Sequence, residues 1–190
     1  SSGHPWQRLG LIPWRAGKRP LLQGFALGFG SVLLLLIGYV ASGVCKIDVT
    51  HDQWRLWRTV VMFLPVAVLV AFLEELIFRG YLLQQLMACS KAMAIMGTSA
   101  GYALVHLKPS WEWPGSAMEL VGLGVLGAVL AVGVLRTGHL YLAIGLHASL
   151  AYWARLNKLL VEFPPDSSWQ WLVGTNRLVN GLLAWGLLML

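Results

Sequence analysis

Charge is what this chain has least of. Only 12% of its 190 residues are Asp, Glu, Lys or Arg, while 57% are hydrophobic and the mean hydropathy is +0.67. That scarcity excludes an ordinary soluble domain, which needs far more polar surface to stay in water. Cysteine is thin too: two residues make neither a disulfide framework nor a metal spacing. No HExxH string occurs, so the zincin arrangement is absent. Barrel-type alternation of polar and apolar residues is also missing. Backbone that crosses a bilayer must then satisfy itself as helix.

What is present is long apolar runs. GFALGFGSVLLLLIGYVASGV (24–44) is enough to cross a bilayer core, which takes about 20 apolar residues. The expected fold is all-α: a polytopic membrane helical bundle with about six transmembrane helices, at 21–44, 57–88, 91–107, 116–136, 139–160 and 169–190. Residues 1–20 form a basic and aromatic segment, WQRLGLIPWRAGKRP at its heart, expected to lie along the membrane surface. Residues 21–190 form one transmembrane domain. Pro65 predicts a kink or break in the second segment. The chain opens SSGHPW without a methionine and is read as part of a longer one, and its first residues do not follow a signal-peptide pattern.

The formal charge is +6 and the pI about 9.7. In a soluble protein that would point to nucleic acid. Here the cations flank apolar segments, which suits anionic headgroups, so the lipid bilayer is the expected partner and nucleic acid is not. Eight of the ten tryptophans (Trp6, Trp14, Trp54, Trp57, Trp111, Trp113, Trp169 and Trp171) fall near span ends, as anchoring belts do. Arg8, Arg15, Lys18 and Arg19 precede the first span and favour a cytoplasmic N-terminus. The expected location is a bacterial-type cytoplasmic membrane.

Small residues four apart (Gly24 and Gly28, Gly97 and Gly101, Gly124 and Ala128) predict close helix contacts. GLGVLG (122–127) matches a dinucleotide fingerprint, but that fingerprint needs a preceding strand and a soluble helix, and an apolar membrane helix supplies neither.

Against this background AFLEELIFRG (71–80) places three charges in six residues. Each costs roughly 2.5–3.5 kcal/mol at a bilayer centre. Glu75 and Arg79 are spaced i, i+4, a salt-bridge geometry, and Glu74 is turned about 100° from Glu75 and is free for another task. A buried ion pair that only fixes helix contacts is the bland reading; intramembrane ionisable groups more often serve function. His106 and His147 lie on other segments. Two imidazoles converging on two carboxylates would form a site where a glutamate deprotonates water and a neighbouring donor steadies an oxyanion.

EELIFRG (74–80), YALVH (102–106) and HLYLAIGLHASLA (139–151), in this order, resemble the CAAX-processing and bacteriocin-processing (CPBP/ABI) intramembrane protease family. RLGL before the first span is similar to its bacterial members. The resemblance implies a helical intramembrane endopeptidase. Glu74 would activate the attacking water, His106 would assist it, His147 would help form the oxyanion hole, and Glu75 and Arg79 would support the site. A metal-free glutamate mechanism without cofactor is expected, with a membrane-associated peptide or protein as substrate. Two positions depart from the family pattern: Tyr102 stands for the usual Phe, and Ala151 for the usual Asn or Asp four residues after the last His. Ser149, Asn157, Asn176, Arg177 and Asn180 are the polar residues that would substitute for it. Ala151 motivates the alternative: a catalytically silent member serving as a structural or accessory subunit of a larger membrane complex, with His106 or His147 ligating a metal or pigment.

Overall fold

The structure, a computed structural model, describes residues 5–48, 53–107, 110, 113–162 and 181–189. A short helix α1 (Pro5–Arg8) leads into α2 (Trp14–Ala41). Then come α3 (Gln53–Glu75), a π-helical turn (Leu76–Leu82), α4 (Leu83–Leu86), α5 (Lys91–Val105), α6 (Gly115–Thr137), α7 (Tyr141–Leu160) and α8 (Leu182–Met189). The protein is an all-α membrane-type bundle. Three of the described helical stretches are long and apolar enough to cross a membrane: Trp14–Ala41, Gln53–Leu86 and Gly115–Thr137. Outward-facing Leu22, Leu27, Leu34, Val61, Met62 and Leu69 are all exposed, as lipid-facing side chains should be.

Element boundaries depart from expectation in instructive ways. α2 begins at Trp14, just after Pro13, so part of the basic stretch expected along the surface forms the first turns of the first span. Pro65 lies inside α3 without ending it. The irregularity comes eleven residues later, in the π-helical turn, where no proline marks it. α8 is the described part of the last expected segment; most of 169–190 lies outside the described residues. Two very short strands, β1 (Lys46–Ile47) and β2 (Val161–Glu162), pair antiparallel where only loops were expected, tying the C-terminal ends of α2 and α7 together.

α7 is the centre of the bundle. It packs against α2, α3 and α6, and Ala143, Ile144, Ala148, Leu150, Trp153 and Leu156 are buried along it. α2 and α7 run parallel and touch through glycine. A side chain at Gly24 would collide with the Leu142 and Leu146 backbone, and one at Gly145 with the Leu21 carbonyl. This is the small-residue route to close helix approach in lipid. On α6 the small-residue reading shifts register: Gly124 faces open space, whereas a Cβ on Gly127 would lie 2.9 Å from Ser99 Cα on α5. The predicted Gly124 contact is thus made three residues later. The N-terminal segment clips the start of α7: the Leu140 amide donates to the Gly10 carbonyl (2.9 Å) and the Tyr141 hydroxyl to the Ile12 carbonyl (2.8 Å).

Ser90 caps α5, its hydroxyl accepting from the Met93 amide at 3.1 Å. At 15 residues α5 is only about 22 Å long, shorter than a hydrocarbon core of about 30 Å. His106, which caps its C-terminal end, therefore stays within reach of side chains deep in the bundle.

Candidate active site

Glu74 and Glu75 close α3, and Arg79 and Gly80 sit in the π-helical turn that follows. Within that turn the amide of Leu83 reaches back to the Phe78 carbonyl, five residues away. Gly80 lets another chain segment come close: a Cβ there would lie 3.0 Å from the Leu9 carbonyl oxygen. π-turns inside helices recur at functional sites.

Glu75 and Arg79 are fully buried, and Arg79 Nη1 donates to Glu75 Oε1 at 2.9 Å. Such a pair survives burial only with further partners, and Arg79 has them. Nη2 donates to the Gly127 carbonyl on α6 at 3.1 Å, and the guanidinium lies 4.8 Å from the Tyr102 ring centroid. Close approach of α6 to α5 through Gly127 is what brings that carbonyl into range.

Glu75 also accepts from His147. His147 Nδ1 lies 2.9 Å from Glu75 Oε1. A carboxylate paired with arginine only accepts, so Nδ1 carries the proton. In the neutral ring Nε2 is then an acceptor, and the Tyr102 hydroxyl faces it at 3.2 Å. His106 is held differently. Its Nδ1 donates to the Tyr102 carbonyl at 2.8 Å, one of the carbonyls left open at the end of α5. Its Nε2 then also presents a lone pair.

Glu74 lies where these groups meet. Its Oε2 is 3.7 Å from His106 Nε2 and 3.6 Å from His147 Nε2, and it makes no direct hydrogen bond. Its side chain is 26% exposed and that of His106 is 32% exposed, against 5% for His147. Three acceptors therefore converge within 4 Å at the more open side of the cluster. The Tyr102 hydroxyl serves the His147 lone pair, which leaves Glu74 Oε2 and His106 Nε2 to a molecule that donates twice, as water does. A cleft between α5 and α6, lined by Ala103, His106, Leu107, Ser116, Glu119 and Leu120, opens beside His106. Among the described residues, no group of three or more His, Cys, Asp or Glu side chains is arranged to hold a metal ion.

All five residues singled out in the sequence (Glu74, Glu75, Arg79, His106 and His147) thus fall in one cluster. Ser149 does not join it: its hydroxyl donates to the Leu146 carbonyl and touches Gly28 on α2. Asn157 is buried with its Oδ1 lacking a protein partner, ten residues beyond His147. Asn176, Arg177 and Asn180 lie outside the described residues. Sequence reasoning missed the Tyr102 hydroxyl and the Gly127 carbonyl. The first was visible as Tyr where Phe is usual; a backbone carbonyl leaves no sequence signal.

A bundle with lipid-length apolar helices enclosing a carboxylate doublet, an arginine and two imidazoles is a membrane protein with a built polar site. Comparison with known proteins gives it a family. The model of the type II CAAX prenyl endopeptidase Rce1-like family matches residues 56–153, and the chain belongs to that family. The match runs from α3 to α7 and contains every residue of the cluster. No curated protein and no solved structure gave a match.

Proposed function

We propose that the protein is an intramembrane endopeptidase in which Glu74 activates the attacking water. The observation that carries this reading is the convergence of Glu74 Oε2 with His106 Nε2 and His147 Nε2 at 3.6–3.7 Å. A water donating to Glu74 and His106 is held with its oxygen lone pair free to attack. As its O–H bond breaks, the proton passes to Glu74, the oxygen bonds to the peptide carbon, and the carbonyl electrons move onto oxygen. His147 borders that oxygen. Collapse breaks the C–N bond, and Glu74 returns the proton to the departing amine. Glu75 and Arg79 hold His147 in place.

The reading needs no metal, because the carboxylate itself is the base. The substrate is a membrane-associated peptide or protein, reaching the site past His106, where the cluster is most open.

Orientation follows from charge. Among the described residues, Arg8, Arg15, Lys18, Arg19, Lys91 and Arg136 lie at the end of the bundle where α2, α5 and α7 begin, with no acidic residue beside them. The opposite end mixes Lys46, Arg55, Arg58 and Lys158 with Asp48 and Glu162. The uniformly basic end is cytoplasmic by the positive-inside rule, with the N-terminus there, in a cytoplasmic membrane.

Ala151 favours a second reading, a silent subunit of a membrane complex, since the family's usual donor is missing at that position. Comparing new peptide termini in membranes carrying wild type and Glu74→Ala separates the two. Termini that vanish with Glu74→Ala support the protease; identical sets leave the subunit.

A further inference from the structure

We infer that the hydroxyl of Tyr102 is the oxyanion donor of this site, which makes Tyr102 a catalytic residue. The inference rests on the protease reading above and extends it.

The geometry leaves a gap that Tyr102 fills. An acyl-transfer site needs a hydrogen-bond donor aimed at the oxygen that becomes charged. His147 in its neutral form is not that donor, because its Nδ1–H is committed to Glu75 Oε1 and its Nε2 holds a lone pair. His106 has its own Nδ1–H committed to the Tyr102 carbonyl. Arg79 is fully buried, with Nη1 on Glu75 and Nη2 on the Gly127 carbonyl; its Nε has no hydrogen-bond partner but is buried with the rest of the side chain, away from the more open side of the cluster. Ala151, one helical turn after His147, has no polar side chain. Among these residues Tyr102 is the donor that meets the face of His147 turned to Glu74. Its hydroxyl lies 3.2 Å from His147 Nε2, on the ring nitrogen that also faces Glu74 Oε2.

The ring is held as a donor platform should be. It is 2% exposed, edge-on to Phe78 at 5.5 Å and to His147 at 5.6 Å, tilted against His106 at 4.6 Å, and covered by the Arg79 guanidinium. A fixed ring leaves the O–H only its own torsion. In the resting site that O–H points to His147 Nε2. When water attacks, with its proton passing to Glu74 and the carbonyl electrons to oxygen, the O–H turns to the new oxyanion without moving a heavy atom of the ring. No proton leaves Tyr102, and the hydrogen bond returns to His147 when the C–N bond breaks.

Four variants test this in the host membrane: Glu74→Ala, Tyr102→Phe, Ala151→Asn and the double change Tyr102→Phe with Ala151→Asn. The readout is the rate at which Glu74-dependent peptide termini accumulate, with thermal unfolding in detergent confirming that each variant folds. Tyr102→Phe keeps every ring contact and is expected to slow cleavage about 100- to 1,000-fold, as loss of one oxyanion donor does. Ala151→Asn alone should change little, because a donor is already present. Adding it to Tyr102→Phe should restore cleavage at least about tenfold by supplying a donor one turn from His147. A hydroxyl that only orients His147 would not be replaced by an amide on α7, so a slow Tyr102→Phe without rescue overturns the assignment. So does a Tyr102→Phe rate equal to wild type, or a large gain from Ala151→Asn alone, which needs no folded Tyr102 variant. If no terminus depends on Glu74, the protease reading itself falls and takes this inference with it.

Discussion

His147 Nδ1 lies 2.9 Å from Glu75 Oε1, the same oxygen that accepts from Arg79. One carboxylate oxygen thus fixes both the charge partner on its own helix and the imidazole on α7. The division of labour between adjacent glutamates follows: Glu75 is buried with its Oε1 holding Arg79 and His147, and Glu74 is partly open and meets the two Nε2 atoms.

The first prediction concerns stability. Removing one member of a buried, hydrogen-bonded ion pair leaves an uncompensated charge and costs about 3–5 kcal/mol. Arg79→Leu should therefore lower the unfolding midpoint in detergent well below wild type. Glu74→Gln, at a partly exposed residue outside that pair, should leave it nearly unchanged. Equal losses in both would show that Glu75 and Arg79 do not hold the bundle as described.

Helix contact gives the second. Any side chain at Gly145 meets the Leu21 carbonyl, whereas nothing lies within 4 Å of a Cβ on Gly133. Gly145→Ala should destabilise by about 1–3 kcal/mol through overpacking, and Gly133→Ala should be neutral or slightly stabilising in a helix. Thermal unfolding of the two variants side by side checks the α2–α7 interface.

These two cases mark how far the sequence carries. The helical class, the buried pairing of Glu75 with Arg79 and the convergence of EELIFRG with His106 and His147 were legible, because helical spacing and the cost of intramembrane charge constrain them strongly. The π-helical turn was not: LIFRGYL contains nothing that forbids an ordinary helix, and the nearest marker, Pro65, lies inside α3 without ending it. Gly127 was passed over for Gly124 because both fit a small-residue stripe and only the register of α5 against α6 decides between them. The Tyr102 hydroxyl shows in the sequence only as Tyr at a usual Phe position, since a side chain's partners on other helices are not written in its own segment.

Thiol chemistry provides the third prediction and tests orientation. Cys89 is exposed at the end of the bundle where α5 starts, and Cys45 is buried at the opposite end, its thiol pushed above the usual range by burial. Thiolates attack maleimides, so the raised Cys45 thiol should stay unlabelled in the folded protein and react only after unfolding. A membrane-impermeant maleimide should label Cys89 in lysed cells but not from outside intact spheroplasts. Labelling of Cys89 from outside would reverse the orientation.

Metal removal supplies the fourth. With Glu74 as base and the water held by Glu74 and His106, treatment with EDTA or 1,10-phenanthroline should leave the cleavage rate unchanged. A loss restored by adding back a divalent ion would assign the converging acceptors to a metal.

The central claim is that Glu74 is the base. Glu74→Gln keeps the shape of the side chain and removes its ability to take a proton, so it tests that claim with least disturbance to the fold. In membranes carrying folded Glu74→Gln, the peptide termini produced by wild type should fall to background. If they persist at the wild-type rate, Glu74 does not activate the water and the protein does not cleave by the route described.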